Sequence, residues 1–159
     1  MVPPKFIFYP QTVSYLRSQL DKDDASQTKR ALQYICRMHR NGYFFTASDR
    51  FGIEQSIVGM LQSPRSKDEK LRRWGLNALA RLGTVFSFDC VISILEKFID
   101  CPQTVASAIA ALYKIEPDVN KFVNILNRFD PQLRILAALQ HIEPNKLNLS
   151  DLPINIENA

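Results

Sequence analysis

Glycine is scarce in this chain. Five glycines in 159 residues leave few tight reversals of the kind β-hairpins need. Cysteine is scarcer still: Cys36, Cys90 and Cys101 are odd in number, share no C-x-x-C spacing, and with His39 and His141 make no zinc set. Buried or inert thiols in a reducing cytoplasm fit that pattern, and no metal or cofactor is expected. No stretch approaches the ~20 apolar residues of a membrane span, and MVPPKFIFYP is too short in its apolar run for a signal peptide. Catalytic signatures are missing too. There is no G-x-S-x-G, no phosphate-cradling glycine loop, no H-E-x-x-H and no G-x-G-x-x-G.

What remains is a chain with 46% hydrophobic and 23% charged residues, ordinary for a globular protein, and a net charge of +4. The pI of about 9.0 inclines it toward an acidic partner or a phosphate backbone. The length fits one domain over 1–154, with residues 1–10 as an N-terminal cap and 155–159 as a frayed tail.

Apolar periodicity is helical throughout. A short helix over 11–20 carries Val13, Leu16 and Leu20, and the acidic run after it opens a longer helix over 25–40 buried through Ala31, Ile35 and Met38. Asn41-Gly42 supplies a left-handed stop, and Tyr43-Phe44-Phe45 connects to a helix over 49–62. Asp68 and Glu69 open a helix over 69–82. Ser87 is the expected N-cap of a helix bearing Phe88, Val91, Ile92, Leu95 and Phe98, and Pro102 starts the next. Two more helices are expected, one after Pro117 and one after Asp130-Pro131.

These helices are of two kinds, and both kinds recur. Shifted by 31 positions, Phe88, Val91, Ile92, Leu95 and Phe98 fall on Val119, Phe122, Val123, Leu126 and Phe129. Shifted by 33, Gly75, Ala78, Leu79 and Leu82 fall on Ala108, Ala111, Leu112 and Ile115. A further 27 reaches Ile135, Ala138, Leu139 and Ile142. A period of ~30 residues marks stacked helical hairpins. The small residues would be low points in a buried stripe, where a neighbouring helix approaches closely enough to compensate for a mid-helix glycine.

Residues 71–83, LRRWGLNALARLG, resemble the second helix of a HEAT repeat, a resemblance that extends loosely over about 50–143. It implies an all-α superhelix of about four stacked antiparallel pairs whose second helices line a concave face. On that face the outward line of one helix is Lys70, Arg73, Asn77 and Arg81, with Trp74 beside it; the equivalent line is Lys29, Gln33, Arg37 and Arg40. The later helices offer weaker lines, Gln103, Ser107 and Lys114, then Arg134 and His141. The expected function is non-catalytic binding of a protein with an acidic surface, as adaptor, assembly chaperone or inhibitor. Lys29, Arg37, Arg40, Lys70, Arg73, Asn77 and Arg81 would be the polar contacts and Trp74 the aromatic anchor. Binding of a nucleic acid backbone by the same face is the alternative. A third possibility borrows from HEAT-like alkylpurine DNA glycosylases, with Arg72, Arg73, Trp74 and Asp68 as the corresponding residue types.

Overall fold

The computed structural model describes residues 10–115, with side chains from residue 12 onward. Among these residues the chain is all-α, with six α-helices and two short 3-10 turns. The helices are α1 (Pro10–Leu20), α2 (Ala25–Arg40), α3 (Ala47–Gln62), α4 (Glu69–Leu82), α5 (Phe88–Lys97) and α6 (Pro102–Ile115). The 3-10 turns, Pro64–Lys67 and Val85–Ser87, lead into α4 and α5. None of the described helices is long and apolar enough to cross a membrane. The helices expected after Pro117 and Pro131, Arg134, His141, the tail, and residues 1–9 of the expected cap lie outside the described residues.

The chain divides into two compact units, Met1–Leu82 and Gly83–Ala159. In the first, α1 packs on α2 and on α3, α2 packs on α4, and α3 packs on α4. Local chemistry sets the helix ends. Asp24 Oδ1 accepts from Gln27 N at 2.9 Å and opens α2, and Gly42 takes φ +85 just beyond its end, a conformation glycine adopts without strain. Thr46 Oγ1 accepts from Asp49 N at 3.1 Å, so α3 starts at Ala47, two residues before the expected start. Asp68 Oδ1 accepts from Lys70 N and Leu71 N, which opens α4.

Two ties align α2 and α4 in the same direction. At their beginnings, Arg65 donates through Nη1 to Leu20 O at 3.0 Å and through Nη2 to Thr28 Oγ1. At their ends, the Arg81 guanidinium lies close enough to Cys36 to act on its thiol. The buried face also repeats. Thr28, Ala31, Leu32, Ile35 and Met38 of α2 are buried, and 44 positions on so are Arg72, Gly75, Leu76, Leu79 and Leu82 of α4. Gly75 meets its neighbour as a small residue should: a Cβ there would stand 2.8 Å from Met60 Cε and 3.3 Å from Leu61 Cδ2 of α3. The glycine thus lets α3 come close. Full burial of each Leu or Ile in the stripe stabilises by about 1.5–3 kcal/mol, which offsets the ~1 kcal/mol helix penalty of Gly75.

In the second unit, among the described residues, α5 packs on α6, and Val91, Ile94, Leu95, Val105, Ile109 and Leu112 are buried. Ser87 differs from expectation. Its backbone is αR rather than extended and its side chain makes no cap hydrogen bond to α5. The 3-10 turn has moved the capping upstream to Thr84, whose hydroxyl accepts from Phe86 N at 3.3 Å.

Candidate functional site

The residues expected on the binding face belong to α2 and α4, and burial sorts them. Arg40, Lys70, Asn77 and Arg81 are exposed, whereas Lys29, Arg37, Arg73 and Trp74 are half-buried. Arg37 is engaged in an interaction within the protein, so its charge is not simply offered to solvent. Arg73 Nε is buried and, among the described residues, has no hydrogen-bond partner. The freely presented cations lie at the two ends of the helix pair, Lys70 at the start of α4 and Arg40 with Arg81 at the C-terminal ends.

That C-terminal end gathers more than the two helices supply. Arg50, in the first turn and a half of α3, donates from Nε to Leu82 O at 2.8 Å. It thereby satisfies a carbonyl that the end of α4 leaves without an intrahelical partner. His39, Arg40, Arg50 and Arg81 thus converge from three helices on one corner. Among the described residues neither Arg40, Arg50 nor Arg81 is held in an ion pair. Asp49, next in sequence to Arg50, is taken by Arg17 at 3.5 Å. Arg17 in turn lies flat across Gly52, where a Cβ would stand 2.7 Å from its Nε.

The protein feels this concentration of charge. Partial burial, then the positive charges of Arg81 and Arg50, push the His39 imidazole below its usual range. Burial pushes the Cys36 thiol up, and Arg81 and Arg40 only partly offset it. Cys90, in the other unit, is pushed up to about 11 by burial alone. Neither thiol is an activated nucleophile.

The connector beside this corner is aromatic and well anchored. Tyr43 and Phe45 meet edge to face with ring centroids 4.9 Å apart, and Phe45 is buried. Tyr43 N donates to Met38 O. Between them Phe44 is 85% exposed.

Arg50 and Phe44 were not among the residues the sequence pointed to. Arg50 sits on α3, outside the outward lines read on α2 and α4, and only the α3–α4 contact brings it to the end of α4. A signal did exist, since Thr46-x-x-Asp49 places the start of α3 and so puts Arg50 at that end. Arg72, by contrast, is 3% exposed and donates from Nη1 to Ser66 O at 2.9 Å, bracing the turn before α4. Asp68 is spent on capping. Among the described residues no three His, Cys, Asp or Glu side chains gather where they could hold a metal ion. No family model, no curated protein and no solved structure matches this chain.

Proposed function

We propose that the chain is a HEAT-like helical-repeat module that works by binding, and that the α2–α4 side of its first unit holds a partner protein with an acidic surface. No bond is made or broken; charge and shape complementarity do the work. The repeat reading is supported by the like-directed pairing of α2 and α4 and by their shared buried stripe. The binding reading is carried by one observation: Arg40, Arg50 and Arg81 converge on one corner without an ion pair among the described residues. Three free cysteines support a reducing, cytoplasmic setting.

The test is charge reversal at exposed positions. The parent chain is used to capture partners from native lysate, the captured protein is identified by mass spectrometry, and its affinity is measured with purified components. Arg40→Glu with Arg81→Glu is expected to weaken that affinity by at least about tenfold, equivalent to ~1.4 kcal/mol. Undiminished affinity in the double variant defeats the proposal.

Nucleic acid is the second reading, favoured by charge. Residues 10–82 carry thirteen lysines and arginines against seven aspartates and glutamates. A phosphate-led complex with duplex DNA loses affinity with salt at a log–log slope of about 0.9 per phosphate neutralised. An acidic-protein complex anchored by apolar contacts gives a much shallower slope.

A further inference from the structure

We propose that Arg40, Arg50 and Arg81 seat a single phosphate dianion, presented by a phosphorylated side chain of the partner protein, with Phe44 covering the residue beside it. This rests on the protein-partner reading above and specifies the chemistry of that partner.

The three guanidiniums come from the last residue of α2, the start of α3 and the last turn of α4. One is already oriented: Arg50 is fixed through Nε on Leu82 O, which leaves its Nη groups outside that bond, and Arg81 stands beside it in the residue before Leu82. A pre-positioned fork of this kind matches the oxygens of a phosphate bidentately and loses little freedom on binding. The charge also matches. A carboxylate brings one negative charge and two oxygens, too little for three cations, whereas a phosphomonoester brings about −1.5 to −2 and three acceptor oxygens.

The layout favours a compact anion over a long polyanion. Between the two ends of the α2–α4 face, Arg37 is engaged, Arg73 and Lys29 are half-buried, and Asn77 is neutral. A nucleic acid strand needs cations at successive phosphates, and this face interrupts them. Phe44 supplies the apolar neighbour. It stands on the six-residue connector between Arg40 and α3, whose backbone is held by Tyr43 and Phe45, so an exposed ring is carried on a fixed support.

The experiment titrates the isotope-labelled 159-residue chain with a blocked Ala-phosphoserine-Phe-Ala peptide, its serine and glutamate counterparts, and an oligothymidine of about twelve nucleotides. Arginine Nε–H resonances and the His39 ring report by NMR. The phosphopeptide is expected to move the Arg50 and Arg81 signals saturably, to raise the His39 pKa, and to bind at least about tenfold more tightly than the glutamate peptide. Arg40→Gln with Arg81→Gln should remove at least that factor, Phe44→Ala a smaller one, and Arg30→Gln, an exposed arginine facing α1, none. The parent titration needs no variant, so misfolding cannot obscure the result. Equal binding of the glutamate and phosphoserine peptides overturns the phosphate seat while leaving the acidic-partner reading intact. Tighter binding of oligothymidine, with shifts reaching Lys29 and Lys70, overturns it in favour of nucleic acid. No movement of Arg50, Arg81 or His39 up to ~10 mM phosphopeptide, well beyond a millimolar Kd, overturns it outright.

Discussion

Helices α4 and α6 bury the same seven positions and present different surfaces. Leu71, Arg72, Gly75, Leu76, Ala78, Leu79 and Leu82 are the buried residues of α4, and 33 positions on stand Thr104, Val105, Ala108, Ile109, Ala111, Leu112 and Ile115, the buried residues of α6. Outside that stripe the likeness holds at one position of four: Arg81 corresponds to Lys114, but Lys70, Arg73 and Asn77 correspond to Gln103, Ala106 and Ala110. The surrounding charge follows. Residues 10–82 have a six-cation excess, while 83–115 hold two lysines against three carboxylates. The buried positions coincide although α4 packs on α2 and α3 while α6, among the described residues, packs on α5.

The equivalence of the stripes can be broken most directly at Leu79 and Leu112, both 0% exposed. Each Leu→Ala change is expected to cost about 2–5 kcal/mol in urea unfolding, and a cost below ~1 kcal/mol for one of them would show that the shared positions are not equally packed. The glycine position gives a smaller, asymmetric effect. Ala108→Gly should lose about 1 kcal/mol of helix propensity, while Gly75→Ala gains a similar amount and gives most of it back by pushing Met60 Cε aside, for a net change within ~1 kcal/mol. A Gly75→Ala loss of more than ~3 kcal/mol would mean that α3 cannot yield at all. Next comes the cap at Thr46, where Thr46→Ala should cost about 1 kcal/mol and fray the start of α3 in hydrogen exchange.

The smallest effect is pH-dependent and belongs to the first unit, since 83–115 contain no histidine. The folded His39 pKa lies below its unfolded value of 6.5. The unfolded chain therefore binds more protons as pH falls through that value, and stability drops on the acid side. His39→Gln should flatten the fall between about pH 7 and 5 relative to the parent. If the two pH profiles run parallel, neither its partial burial nor the cations at that corner depress the His39 pKa.

Much of the helical layout was legible because its determinants are local. Apolar spacing and caps place α2 and α4 over 25–40 and 69–82, and Pro102 marks the first residue of α6. The 3-10 turns were not legible: Pro64–Lys67 depends on Ser63 and Ser66 finding partners across the turn, and Val85–Ser87 displaces the expected cap at Ser87. Of the site, Arg40 and Arg81 could be read from one helix face each. Arg50 could not, because its place depends on which end of α3 meets which end of α4. Arg72 and Arg73 are neighbours with opposite fates, one turned inward to Ser66 and one beside the outward face, and only the rotation of α4 about its axis separates them.

Arg65 grips both Leu20 and Thr28 from across more than thirty residues of chain. The corner where the polypeptide first doubles back is therefore completed by something synthesised later. Residues 10–44, made alone, would leave that carbonyl and hydroxyl to water and the inner flank of α2 uncovered, so the first hairpin should gain its order only when the second arrives.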